Sequence, residues 1–248
     1  MDLQLHNKTV FITGASSGIG AAAAEIFSAE GADVVVSYGN NRKGAEQTAS
    51  RVRLNGRQAW LCQMDVCDPA GVQTAVQALP PGLHGLDALV LSAGLSLHRA
   101  FNEITPEEWR RVMDVNLNGT FYVLQALSPL LNDGGAVVIV SSVSAETGVA
   151  HQPHYAAAKA GLVNLTKSAA RALAPRLRVN CVNPGITLTP MGQATIDALE
   201  PDYAKNKMLL QRYASPAEIA RVIVFLASPA NSFMTGATVD VNGGRQLR

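Results

Sequence analysis

Cysteine is scarce in this chain: Cys62, Cys67 and Cys181 form neither an even set nor a CxxC unit. A disulfide scaffold is excluded, and three thiols fit a reducing compartment. No excess of either charge exists, with Lys+Arg 20 against Asp+Glu 19. That balance excludes partners bound by phosphate neutralisation, nucleic acid above all, and electrostatic attachment to an anionic membrane. Long apolar runs are missing too. Residues 136–140 and 222–227 are among the most apolar stretches, far short of the roughly 18 residues of a membrane-spanning helix. The first eight residues lack the basic start and apolar run of a secretory signal, so the expected location is the cytoplasm. No His/Cys/carboxylate cluster has metal-ligand spacing, and no GxSxG elbow surrounds a serine. Neither a metal site nor a hydrolase triad is expected.

What the chain does have is 248 residues, 48% of them hydrophobic, enough for one sizeable core. Short β-branched runs alternate with alanine-rich stretches from end to end, the pattern of βαβ units around a parallel sheet. Strands are expected at residues 10–13, 34–37, 59–63, 88–92, 136–141, 178–183 and 238–241. Most are almost wholly apolar, as strands covered on both faces should be. Thr105-Pro106-Glu107-Glu108 and Ser215-Pro216-Ala217-Glu218 each combine a cap, a first-turn proline and a capping-box glutamate, so helices begin there. No repeat or linker divides the chain. The expected fold is a single α/β domain over residues 1–248, doubly wound, with a seven-stranded parallel sheet. Residues 186–213 show no clear periodicity and are expected to be a long loop over a site.

Directly after the first strand stands Thr13-Gly14-Ala15-Ser16-Ser17-Gly18-Ile19-Gly20, running into a helical stretch from Ala21. Glycines there permit a tight turn and bring backbone N–H groups and a helix N-terminus up to a pyrophosphate. Tyr155 and Lys159 are four residues apart in a helical stretch, on one face. An ammonium beside a phenol is expected to lower its pKa from about 10 toward the range of an acid/base catalyst. Ser142 ends the fifth strand, at the carboxyl end where open α/β sheets bind ligands. Asn116 falls mid-helix, where asparagine is a poor former, so its side chain has another task.

TGxxxGxG at residues 13–20, then Asn116, Ser142, Tyr155 and Lys159, follow one another across the whole chain in the order of a known family. The sequence resembles the short-chain dehydrogenase/reductase family, and within it the 3-oxoacyl-[acyl-carrier-protein] reductase group. Further matches are Asp65-Val66 after the third strand, Asn183-Pro184-Gly185 with Thr189 following, and the ending Val241-Asn242-Gly243-Gly244.

The resemblance implies that Tyr155 is the general acid/base and that Ser142 hydrogen-bonds the reacting oxygen. Lys159 would hold the nicotinamide ribose as well as tune Tyr155, and Asn116 would hold a water that resupplies protons. It implies a dinucleotide held mainly by residues 1–120 and 183–191, with catalytic residues within 116–159. Gly14, Ser16, Ser17, Gly18, Ile19 and Gly20 would form the pyrophosphate loop. Asp65 and Val66 would meet the adenine, and Ser92, Ala93 and Gly94 the ribose side. Pro184, Gly185, Thr187 and Thr189 would orient the carboxamide. Ser144, His151 and His154 are candidate substrate contacts. A homotetramer is implied by analogy.

Two departures stand out. The family's NNAG is Leu91-Ser92-Ala93-Gly94, which loses both asparagines. After the second strand, where an NAD site carries a carboxylate, this chain has Tyr38, with Asn40 and Arg42 following. That favours NADP(H) over NAD(H), although Ser17 stands where many NADP-dependent members carry a basic residue. The expected function is reduction of a ketone, such as a 3-oxoacyl thioester, to a secondary alcohol. The alternatives are a dehydrogenase of a sugar, steroid or other small alcohol, and a nucleotide-sensing protein without turnover.

Overall fold

The computed structural model describes residues 1–80, 83 and 85–247. Seven parallel strands form one sheet: β1 Thr9–Thr13, β2 Asp33–Tyr38, β3 Ala59–Gln63, β4 Leu86–Leu91, β5 Leu131–Val140, β6 Arg178–Pro184 and β7 Thr238–Val241. Their order across the sheet is β3-β2-β1-β4-β5-β6-β7. The chain builds outward one way from β1 and then the other way from β4. The crevice above the carboxyl ends of β1 and β4 is therefore the place where such sheets bind ligands.

Strand alternation sorts the apolar side chains into two cores. Val10, Ile12, Val34, Val36, Val90 and Val138 face α1 (Gly18–Ala29), α2 (Arg42–Leu54) and, later in the chain, the helix Pro216–Ala227. Phe11, Val35, Leu89, Val137 and Ile139 face α3 (Pro69–Gln77) and helical segments between β4 and β6. Each fully buried aliphatic or aromatic side chain contributes about 1.5–3 kcal/mol. All seven expected strands form, with ends shifted by a few residues. The fifth starts earlier than expected because Leu131 pairs with Leu86 across an irregularity in the β4–β5 ladder.

Helix starts follow the sequence signals. Thr105 caps α4 (Pro106–Met113), accepting from the Glu108 N–H at 3.2 Å while Glu108 accepts from the Thr105 N–H at 3.3 Å. Residues 114–118 form one π-helical turn before α5 (Gly119–Leu127), so the expected long helix carries a bulge at Asn116. Beyond β5 come α6 (Ser144–Thr147) and α7 (Pro153–Leu173). The stretch expected to be an irregular loop holds two helices, α8 (Pro190–Ile196) and α9 (Tyr203–Lys207). At 7 and 5 residues they are too short to impose a readable period. The last helix, α10 (Pro216–Ala227), starts where Glu218 reaches back to the Ser215 N–H at 2.8 Å. Among the described residues no helix is long and apolar enough to cross a membrane.

Candidate active site

One pocket of about 370 Å³ opens above the carboxyl ends of β1, β4, β5 and β6. Its floor on the β1 side is the glycine loop. Gly14 has φ +64°, and a Cβ there would lie 2.8 Å from the Ala93 Cα. Only glycine lets the two segments nest so closely. Thr13, the first residue of the TGxxxGxG motif, locks them together. Its hydroxyl accepts from the N–H groups of Ser92 and Ala93 at 3.0 and 3.1 Å. The segment with neither family asparagine is thus held from β1. No side chain caps α1, whose first-turn N–H groups face the pocket beside Ser16 and Ser17. That is the donor arrangement a pyrophosphate requires.

The opposite wall brings together Ser142, Tyr155 and Lys159. Ser142 follows β5, and Tyr155 and Lys159 lie one turn apart on α7. The Lys159 Nζ donates to the Val140 carbonyl at 2.9 Å, lies 5.4 Å from the Tyr155 ring centroid, and is almost wholly buried. Ser141 ties the two elements, its hydroxyl donating to the Lys159 carbonyl at 2.7 Å. Ser142 Oγ accepts from the Ser144 hydroxyl at 2.7 Å and from the Ser144 N–H at 3.2 Å. With its lone pairs so used, Ser142 keeps its own proton to donate, and the Tyr155 phenol is within its reach. Ser144, expected as a substrate contact, lines the pocket but chiefly orients Ser142.

The expected depression of the Tyr155 pKa is not what the protein's own groups produce. Burial pushes the phenol up to about 12, against a smaller downward pull from Ser142. Burial also draws the Lys159 ammonium down to about 8. The lysine is committed to Val140, and desolvation sets the direction of the phenol's shift.

Asn116 sits in the π-helical turn and is fully buried. Its side chain donates to the carbonyls of Leu95 and Val112 at 2.7 and 2.8 Å and accepts from the Leu95 N–H at 3.3 Å. Both amide donors are thus used, and Oδ1 keeps one lone pair for the water expected of it. Its visible work is to hold the chain after Gly94.

Among the expected dinucleotide contacts, Gly14, Ser16, Ser17, Gly18 and Ile19 line the pocket, as do Ser92 and Gly94. So do Pro184, Gly185, Thr187 and Thr189 along the β6 side. Gly20 and Ala93 stand behind the lining, where a Cβ on Gly20 would lie 2.6 Å from the Gly14 carbonyl oxygen. Val66 packs on α5, since a Cβ on Gly119 would lie 2.7 Å from its Cγ2. Asp65 is exposed outside the lining, accepting from the Cys67 N–H at 2.9 Å, while Asp68 caps α3.

Two expectations need correction. Tyr38 is buried in the core cluster that also holds Val36, Ala45 and Ala49, close to Arg42, and does not line the pocket. Arg42 remains near it at the start of α2, exposed and paired with Glu46 at 2.9 Å, with Asn40 alongside. His154 is also misassigned as a substrate contact. One helical step from Tyr155, it is rotated by about 100° away from the pocket, buried, and stacked on Trp109 at 6.4 Å. His151 does reach the pocket rim.

The glycine loop is pressed from outside as well. Gly44, in the first turn of α2, lies so close to Ser16 that a Cβ would collide with the Ser16 carbonyl. The segment next to Arg42 and the pyrophosphate loop are in direct backbone contact.

The pocket's far end was invisible in the sequence. Gln152 Nε2 lies 2.7 Å from both Ser96 Oγ and His98 Nε2, and Thr195 of α8 approaches that same ring nitrogen at 3.4 Å. Burial, with His151 nearby, lowers the His98 pKa. These residues lie up to 99 positions apart in the chain, so no local pattern joins them. Arg245, beyond β7, also lines the pocket.

Comparison with known proteins agrees with this geometry. Residues 14–246 match the family model described as Enoyl-(Acyl carrier protein) reductase. The chain is 35% identical to the 3-oxoacyl-[acyl-carrier-protein] reductase of Staphylococcus aureus, covering 97% of this chain and 98% of that one. It is equally 35% identical to an L-rhamnose 1-dehydrogenase (NAD(P)(+)) of a Sphingomonas species, over 97% and 96% of the two chains. A Brucella melitensis structure described as a short-chain, glucose/ribitol dehydrogenase superposes with TM-score 0.93 at 35% identity, covering 100% of both chains. A Burkholderia cenocepacia short chain dehydrogenase in complex with NADP superposes with TM-score 0.92 at 32% identity, over 98% and 100%. From its glycine loop to its carboxyl-terminal turn, the chain belongs to the short-chain dehydrogenase/reductase family and is an NAD(P)-dependent oxidoreductase.

Proposed function

We propose that this protein is an NADP(H)-dependent reductase that turns a ketone into a secondary alcohol, with Tyr155 as the proton donor. The observation that carries it is the convergence of the Ser142 hydroxyl, its proton left available by Ser144, with the Tyr155 phenol and the buried Lys159. The uncapped start of α1 and the Gly14–Ala93 nesting fit a dinucleotide diphosphate, and Gly185, Thr187 and Thr189 fit its carboxamide end. When bound, that dinucleotide supplies a hydride to the carbonyl carbon. Ser142 donates to the carbonyl oxygen and stabilises the charge developing there. Tyr155, protonated throughout the neutral range, gives its phenolic proton to the same oxygen. The phenolate left behind is stabilised by the Lys159 ammonium alongside. Arg42, at the helix start beside the glycine loop, supports NADP(H) as the coenzyme, with no carboxylate at the end of β2 to repel a 2′-phosphate.

A sugar or other polyol as substrate is the second reading, favoured by the Ser96–His98–Gln152–Thr195 cluster at the far end of the pocket. The assembly we propose is a homotetramer in the cytoplasm, supported by exposed Phe101, Trp109 and Phe121 around α4 and α5 and by three free thiols. Light scattering that finds a monomer at micromolar concentration removes the tetramer.

The deciding experiment follows oxidation of NADPH and of NADH with acetoacetyl-CoA. Faster NADPH oxidation is expected. Preference for NADH overturns the coenzyme reading, and no turnover with either shifts weight to sugar and alcohol oxidation.

A further inference from the structure

Arg245 is oddly placed for a structural arginine. It follows Gly243 and Gly244, with φ of +64° and +74°, which fold the chain back over β7. The turn is clasped on both sides: the Arg245 N–H donates to the Asn242 carbonyl at 3.2 Å, the Gly244 N–H to Asn242 Oδ1 at 2.9 Å, and the Leu210 N–H to the Gly243 carbonyl at 3.0 Å. The turn sets Arg245 at the pocket, which it lines together with Ala198 and Leu199.

Its own partners are few. The Arg245 Nε donates to the Tyr203 hydroxyl at 3.2 Å and the guanidinium sits 5.9 Å from that ring's centroid. Its two terminal amino groups donate to nothing among the described residues, and it forms no ion pair with any of them. No aspartate or glutamate lines the pocket among the described residues either. A partly buried arginine at a pocket without a carboxylate has its terminal donors free for an anion from outside.

The sheet order favours the substrate end over the dinucleotide diphosphate for that anion. The glycine loop follows β1, and β7 lies four strands away in the sheet, about 19 Å at the usual strand spacing. Ser142, which marks the reacting carbonyl, follows β5, only two strands from β7. Arg245 therefore serves the substrate end.

We propose that Arg245 is a specificity-determining residue, and that the preferred substrate is a ketone carrying an anionic group, a carboxylate or a phosphate, that pairs with its guanidinium. This deepens the reductase reading and rests on it.

The test compares acetoacetate with ethyl acetoacetate, and dihydroxyacetone phosphate with dihydroxyacetone, in wild type, Arg245→Met and Arg245→Lys. Wild type should favour the charged member of at least one pair, and which pair identifies the anion. Arg245→Met should lose about thirtyfold in kcat/KM on that charged ketone while its neutral partner stays within about twofold. Arg245→Lys should recover part of the loss. Equal use of both members of both pairs, or equal loss on charged and neutral ketones, overturns the proposal. If no ketone is reduced, the reductase reading fails separately. Titration of the protein with NADP⁺ and 3-hydroxybutyrate, against its methyl ester, then decides: Arg245-dependent binding of the acid supports the proposal, and indifference to charge overturns it.

Discussion

Asn116 and Leu95 are bound to each other twice, the asparagine amide donating to the leucine carbonyl at 2.7 Å and accepting from its N–H at 3.3 Å. The pair behaves like one rung of a ladder between the π-helical turn and the chain leaving β4. Asn116→Ala strands both backbone groups of Leu95. A stability loss of about 1–3 kcal/mol is expected, read as a lower Tm, with weaker dinucleotide binding because Gly94 is no longer held.

Tyr155→Phe removes the proton donor and little else. Turnover should fall by at least about a hundredfold, while dinucleotide binding followed by fluorescence stays near wild type. Retained turnover would assign proton donation to another group.

Lys159 makes a pH-dependent contribution whose sign is fixed by its environment. Burial holds its ammonium down at about 8, below its ordinary 10.5. Below pH 8 the folded and unfolded chains both carry the charge, and the folded one bears the full desolvation cost, on the order of 3 kcal/mol. Between pH 8 and 10.5 the unfolded chain holds more protons, so this group's penalty fades as pH rises. Lys159→Met should therefore melt above wild type at pH 7, with the gap closing by pH 10, while activity is lost. A gap that does not change with pH would mean the ammonium is well solvated.

Arg42→Ala should reduce kcat/KM for NADPH by about tenfold and leave NADH almost unchanged. Its pairing with Glu46 across one exposed turn is weak enough for a phosphate to displace. Equal effects on both coenzymes would remove Arg42 from their discrimination.

Gly14→Ala places a methyl 2.8 Å from the Ala93 Cα at a left-handed φ. Strain of about 1–3 kcal/mol is expected, with dinucleotide binding lost first. A Tm equal to wild type would show that the two loops can part.

The strands were legible because each is a short apolar run between turns, and the sheet's two faces then fix which residues meet which helix. Thr105 with Glu108 and Ser215 with Glu218 announced their helices through chemistry that is local in sequence. The spacing of Ser142, Tyr155 and Lys159 worked for the same reason, since a strand end and one helix carry all three. Contacts made through space left no such mark. Thr13 reaches Ser92 across 79 positions, and Gln152 reaches Ser96 across 56. Tyr38 and His154 misled because a polar aromatic near a motif reads as a ligand contact, whereas Tyr38 is buried in the core and His154 is buried against Trp109. The Tyr155 pKa misled because neighbouring charge is visible in a sequence and desolvation is not.

The contact between Gly44 and the Ser16 carbonyl carries a lesson for protein engineering. Grafting the β2–α2 connection from a relative with a different coenzyme preference replaces position 44 along with the intended recognition residues. Any side chain there would push the pyrophosphate loop out of register, so a transplant that omits this glycine would cripple both coenzymes instead of exchanging them.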